Sequence, residues 1–359
     1  MATGAQRDQR QLHAGIARWV AGHGELLPGP VPAGRPLEVT GVQHAEGGMA
    51  NETVMVDVGN GHPGVVVRLA PLEPTFPDYT LATQAAVQNA VAASGIPAPA
   101  PCVFVDDHRW IGTPFLVMPR VGGFIPGPAP VFDPAIVGAT PERQRQYHDG
   151  LFDVLARLHA VDWSAAALDR APALPGPTVE RALDHWTSYV EWAGAGAPLP
   201  VLTRALSWCR DHRPDGAGEG TGEAVLLWGD ARLGNLIFDD DANVRAVLDW
   251  DLAAIGPPEM DLGWYFGLEF MMEQLFGQRV PGFPDRAAAL VDYEERSGHR
   301  VTDLAWHEVF ALVRALAIND RHQRMAEQKR RQMTGRPPSS RRVENPMIDV
   351  LAARLETAG

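Results

Sequence analysis

The apolar pattern of this chain changes character once, and that change limits the folds open to it. Between residues 37 and 118, apolar residues fall in short runs at Leu37 to Val42, Thr53 to Val58, Val65 to Leu69, Cys102 to Val105 and Pro114 to Met118. Runs of this length, bounded by glycine, proline and asparagine, are strand signals, and Gly59-Asn60-Gly61 predicts a hairpin. One helix is expected among them, over 78–93, stopped by GIPAPAP. A short one precedes them, over 8–22, with Leu12, Ile16, Trp19 and Val20 on one face. Beyond PRVGGFIPGPAP (119–130) the period is helical, over 141–160, 178–194, 199–212 and most of the chain after 250. Strands in one block and helices in another predict an α+β fold in two parts, a small β-rich one over 1–118 and a larger, mainly helical one over 119–359.

Composition narrows the function more than the fold. The formal net charge is −13, which argues against a nucleic-acid partner. No apolar run is long enough to span a membrane, and the first residues lack the apolar core of a secretion signal, so a cytoplasmic protein is expected. Cys102 and Cys209 have no metal-type spacing and read as reduced thiols. Lys329 is the sole lysine among 31 Lys and Arg residues, so any cation needed in the first 300 residues must be arginine.

The helical half is interrupted by LLWGDARLGNLIFDDDANVRAVLDW (226–250). Three short apolar runs each carry Asp or Asn at one end: Asp230 after the first, Asn235 opening the second and Asp249 closing the third. Gly234 makes the D-x-x-x-x-N segment a turning loop. The turn at 240–243 folds the next two runs into a hairpin that returns Asp249 beside Asn235. Asp239, Asp240 and Asp241 read as a solvated turn. Oxygen ligands converging at strand ends suit Mg²⁺ with substrate phosphates. A loop Asp, a loop Asn and a later Asp, in that order, match the layout of phosphoryl transfer.

With its continuation VLDWDLAAIGPPEMDLGW, this stretch resembles the aminoglycoside-phosphotransferase-like family of small-molecule kinases. The resemblance extends through GGMANET, VVVRLAP, GTPFLVMPRV and LARLHAVDW, over roughly residues 37 to 270. It implies a bilobal, protein-kinase-like fold that transfers the γ-phosphoryl of ATP or GTP, with Mg²⁺, to a small-molecule hydroxyl. Asp230 is then the base or hydroxyl-orienting residue, Arg232 lies near the γ-phosphate, and Asn235 and Asp249 hold Mg²⁺. Ile237 and Leu248 form an apolar floor under the purine, and Asp261 holds the catalytic loop by accepting backbone N–H bonds. Gly48 and Asn51 belong to the loop over the phosphates.

This chain departs from the family pattern at three places. Arg68 stands where a strand lysine is usual, and Gln84 where its glutamate partner is usual; an arginine can still grip phosphate oxygens bidentately. Trp228 replaces a histidine. The purine edge would use the C=O of Pro119 and the N–H of Val121. Acceptor-side aromatics come from 178–194 and 260–276, namely Trp186, Tyr189, Trp192, Trp264, Tyr265, Phe266 and Phe270, read as core with some able to line a cleft. The mixture of acidic and apolar residues there favours a less cationic acceptor, such as a nucleoside or macrolide antibiotic or a sugar-bearing metabolite, over an aminoglycoside. The competing functions are a nucleotide-binding pseudokinase, suggested by the missing strand lysine, and a kinase of a primary-metabolite sugar or alcohol. A metal-dependent hydrolase would need histidine ligands at a spacing this sequence lacks.

Overall fold

Alternation along the strands organises the first of two units, Met1–Gly122 with Arg170–Ala173. The computed structural model describes residues 7–29, 37–45, 52–78, 80–171, 174–176, 178–214, 224–334 and 345–358. Gly48 and Asn51, and most of the expected loops at 26–36, 213–223 and 335–346, lie outside the described residues. In the first unit, α1 (Gln9–Gly22) precedes β1 (Val39–His44), β2 (Glu52–Val58), β3 (Val65–Leu69), α2 (Leu81–Ala93), β4 (Val103–Val105) and β5 (Phe115–Pro119). The strands form one antiparallel sheet in the order β1-β2-β3-β5-β4.

In β3, Val65, Val67 and Leu69 are buried and face the side covered by α1, where Leu12, Ile16, Trp19 and Val20 join Val54, Val56, Phe115 and Val117 in one core. Each fully buried side chain of this kind contributes about 1.5–3 kcal/mol. Asp8 caps α1 by accepting the N–H of Arg10 at 2.8 Å. The opposite face packs Leu116, Met118 and Cys102 against Leu81 and Ala85 of α2, with Val66 beside them. By alternation Arg68 stands on this second face, paired in register with Leu116.

The second unit is Gly123–Asp169 with Leu174–Gly359. It contains the short α3 (Pro134–Val137), then α4 (Pro141–His159), α5 (Val179–Ala193) and α6 (Pro200–Asp211). Next come β6 (Val225–Leu227), β7 (Leu236–Phe238), β8 (Val244–Val247) and β9 (Ala254–Gly256), and then α7 (Glu259–Phe276), α8 (Arg286–Ser297), α9 (Leu304–Thr334) and α10 (Met347–Ala358). Threonine and aspartate cap several of these helices: Thr140, Thr178 and Asp285 each accept a first-turn N–H. The five-stranded sheet of the first unit and the helices of the second are the expected α+β class. Among the described residues no helix is long and apolar enough to cross a membrane.

One detail of the expected hairpin region differs. β7 and β8 pair with each other, but β6 pairs with β9, a strand that the sequence pattern does not reveal. At three residues, Ala-Ile-Gly, β9 is too short to give a periodic signal.

Two helices of this unit approach closely for a steric reason. A Cβ added to Gly263 of α7 would lie 2.6–2.7 Å from atoms of His307 of α9, and one added to Gly267 would touch Ala311 and the carbonyl of Glu308 at 3.4 Å. Glycine at i and i+4 thus lets α7 seat directly on α9, whose residues from Val309 to Val313 are all buried.

Candidate active site

The loop after β6 turns at a residue that must be glycine. Gly229 has φ of +84°, and a Cβ there would lie 1.9 Å from the carbonyl oxygen of Leu252. The carboxylate of Asp261, in the first turn of α7, fixes this turn. It is fully buried and accepts the N–H groups of Trp228 and Gly229, each at 2.7 Å, the role that the family resemblance implies. His159 buttresses it: Nε2 lies 3.2 Å from Asp261 and Nδ1 lies 2.6 Å from the hydroxyl of Tyr293. An ionised carboxylate only accepts, so Nε2 is the donor to Asp261. Trp228, in the place of the usual histidine, donates its indole N–H to the carbonyl of Leu248 at 2.8 Å and so ties the loop to the end of β8.

Asp230 projects from this turn and is ringed by donors. Asn235 Nδ2 donates to its Oδ2 at 2.7 Å and to its backbone carbonyl at 3.0 Å. Arg232 Nε lies 3.1 and 3.0 Å from the two oxygens. Trp264 of α7 donates its indole N–H to Oδ1 at 2.8 Å. Asn235 itself ends a single 3₁₀ turn, Leu233–Asn235, and β7 begins one residue later than the sequence pattern suggests.

The β7–β8 hairpin does bring Asp249 back. Leu248 donates its N–H to the carbonyl of Asn235 at 2.8 Å, so Asp249 starts one residue beyond that bond. Its φ is +61°, a left-handed conformation that aspartate tolerates better than most residues. Strain of this kind concentrates at functional sites. Ile237 is buried and Leu248 half-buried on the same hairpin.

Behind the loop lies a residue that the motif pattern does not single out. Arg314 of α9 is only 3% exposed and donates to the carbonyl of Gly229 at 2.9 Å. Its guanidinium stands 4.7 Å from the ring centre of Trp264 and 5.2 Å from that of Trp186. Burial pulls its pKa down to about 10, against the opposing pull of Asp261 and Asp230, so it remains a cation at neutral pH. A lone arginine inside the apolar run VFALVRALAI (309–318) was the available signal, because an arginine is almost never fully buried without partners. The aromatics expected on the acceptor side are mainly core: Trp186, Tyr189, Trp264, Tyr265 and Phe266 are all buried, whereas Trp192 and Phe270 are partly exposed.

In the first unit, Arg68 and Gln84 both belong to the α2 side of the sheet, Gln84 being 4% exposed on α2 itself. Arg68 is close enough to Cys102 to oppose the burial that pushes that thiol up to about 12. Pro119 ends β5 in register with Val65, and Val121 follows it, half-buried.

Residues 41–300, most of the chain, match the phosphotransferase enzyme family. The chain belongs to that family. A candidate aminoglycoside phosphotransferase from Ralstonia eutropha JMP134 has the same fold, with a TM-score of 0.68 at 22% identity over 98% of this chain and 99% of that one. Aminoglycoside 2'-phosphotransferase-IIIa, solved with GDP, is similar with a TM-score of 0.57 at 14% identity over 98% of each chain. Among curated proteins, mouse acyl-CoA dehydrogenase family member 10 is 31% identical over 232 residues, covering 62% of this chain and 20% of that protein. Human acyl-CoA dehydrogenase family member 11 is 28% identical over 260 residues, covering 72% of this chain and 30% of that protein. This member of the phosphotransferase enzyme family thus spans about a fifth to a third of the length of such relatives.

Proposed function

We propose that the chain transfers the γ-phosphoryl group of ATP or GTP to a hydroxyl of a small molecule. The observation that carries this reading is the Asp230 carboxylate, held by Asn235, Trp264 and Arg232 on a loop to which the hairpin returns Asp249. In this reading Asp230 orients the acceptor hydroxyl and takes its proton. The acceptor oxygen bonds to the γ-phosphorus as the bond from that phosphorus to the β–γ bridging oxygen breaks, and the nucleoside diphosphate leaves with that electron pair. Arg232, two residues on and one-third exposed, exchanges its ion pair with Asp230 for the γ-phosphate oxygens.

The residues present fit Mg²⁺. The carboxamide nitrogen of Asn235 is committed to Asp230, which leaves its carbonyl oxygen for a cation, and Asp249 adds a carboxylate. Two hard oxygen donors completed by phosphates and water are what Mg²⁺ takes. When bound, the ion would neutralise phosphate charge. Arg68, on the α2 side of the sheet as Gln84 is, would grip the α- and β-phosphates, and Gln84, Gly48 and Asn51 would add to the nucleotide site. In the first unit Pro119 and Val121 would offer a backbone C=O and N–H to the purine edge; in the second, Ile237 and Leu248 would offer the purine an apolar surface.

A specific observation bears on the acceptor. The curated relatives at 28–31% identity are named for acyl-CoA dehydrogenases, and this chain matches only 20–30% of their length. A phosphotransferase segment joined to a dehydrogenase in one polypeptide suits a shared metabolite class. That favours a hydroxylated acyl thioester over the antibiotic to which the sequence alone points first. The test is a screen of hydroxyacyl-CoAs, aminoglycosides, macrolides and nucleosides with Mg²⁺ and ATP or GTP, read by mass spectrometry for a phosphorylated product. Asp230→Asn should abolish the product. Mg²⁺-dependent nucleotide binding without transfer to any acceptor or to water would replace this reading with a pseudokinase.

A further inference from the structure

We infer that Trp264 is a positioning residue for Asp230, its indole N–H fixing the rotamer of that carboxylate; this rests on the phosphotransfer reading above. A carboxylate offers about four lone-pair sites. Trp264 takes one on Oδ1 at 2.8 Å and Asn235 takes one on Oδ2 at 2.7 Å. Because the two donors hold different oxygens, the carboxylate cannot turn about its terminal bond without losing both. Arg232 straddles the remaining sites at 3.0–3.1 Å and is one-third exposed. When it turns to a phosphate, one site on each oxygen is open to an acceptor hydroxyl. Trp264 stays in place through that exchange, since its indole carries a single N–H donor and its side chain is buried.

The ring is itself held in place. Gly263 and Gly267 let α7 seat on α9, and this seating carries Arg314 to 4.7 Å from the Trp264 ring centre. A cation over the ring face draws density from the indole and makes its N–H a stronger donor. Asp261 and Trp264 stand three residues apart on α7, on one helix face. One turn of α7 therefore grips the loop twice, by the backbone at Trp228 and Gly229 and by the side chain at Asp230.

A tryptophan that served only as core filling would be replaced by phenylalanine with no effect beyond stability. Trp264→Phe keeps a ring beside Arg314 and removes the donor. For hydrolysis of Mg²⁺-ATP, with water as the acceptor, the turnover at saturating nucleotide should fall about tenfold while KM for ATP stays within about twofold. An unchanged turnover overturns the positioning role and leaves the phosphotransfer reading intact. If Asp230→Asn itself leaves turnover unchanged, the phosphotransfer reading fails instead. A second measurement needs no activity. In the full chain labelled with ¹⁵N-tryptophan, which has ten indole signals, Trp264→Phe, or Trp264→His if the first variant does not fold, deletes and so assigns one signal. Asp230→Ala must shift that signal, and a signal that stays in place overturns the proposal.

Discussion

The guanidinium of Arg314 donates to the carbonyl of Gly229 at 2.9 Å, although the two residues are 85 positions apart in sequence. The bond ties the buried, apolar first half of α9 to the turn that carries Asp230. It also places a buried cation near two carboxylates, Asp230 and Asp261.

Removing that cation should cost more than a surface charge would. Arg314→Met leaves the Gly229 carbonyl without this donor and the two carboxylates without their buried counter-charge. A loss of about 3 kcal/mol is expected, read as a lower urea midpoint at unchanged slope. Arg314→Lys keeps the charge but not the flat guanidinium between Trp186 and Trp264, and should recover only part of the loss.

Gly229→Ala should be among the most damaging small changes in the chain. The new methyl would meet the Leu252 carbonyl at 1.9 Å in a left-handed backbone. Backbone strain alone costs about 1 kcal/mol, and the clash adds to it because the obstacle is main chain. Thermal unfolding should show a lower Tm, and Mg²⁺-ATP turnover should fall even at temperatures where the variant is folded.

Acid sensitivity has a traceable source. Burial lowers the His148 pKa to about 3 and that of His307 to about 4, each from a usual value near 6.5. Folded-state values below the unfolded one mean that the unfolded chain binds the extra protons. The stability present above pH 6.5 is therefore lost as the pH falls from there toward 3–4. Neither ring nitrogen of His148 has a hydrogen-bond partner among the described residues, and the ring stacks on Phe152 at 4.3 Å. His148→Phe should be close to neutral at pH 7. Between pH 6 and 4 it should remove up to about 1.4 kcal/mol per pH unit of slope, as measured by denaturant unfolding across that range. The slope that remains would include His307.

In the first unit, Arg68→Ala should weaken Mg²⁺-ATP binding by about tenfold, about 1.4 kcal/mol, in titration calorimetry. Arg68→Lys, the residue usual at this position in the family, should bind at least as well as Arg68→Ala and no more than a few-fold worse than the parent. Unaltered affinity in Arg68→Ala would remove the arginine from the nucleotide site.

Gly229, Asp230, Asn235 and Asp249 could be read in order because the forces that assemble them are local: one obligatory glycine turn, one 3₁₀ turn and one hairpin whose register is set by its own backbone bonds. The α+β division was legible for the same reason, since alternation and helical period are properties of neighbouring residues. Even Asp261 was reachable, as part of a motif twelve residues beyond Asp249. Trp264 and Arg314 were not. Within its own segment, Trp264 is one aromatic among five, and nothing in its spacing distinguishes a core ring from one that donates to Asp230. Arg314 stands out as a charge in an apolar run, but its partners are set by how closely α7 approaches α9. That approach depends on Gly263 and Gly267 meeting His307 and Ala311 across the helix interface. Sequence period determines which face of a helix is apolar. Only tertiary packing decides which residue of another helix that face meets, and here it decided which donors hold Asp230.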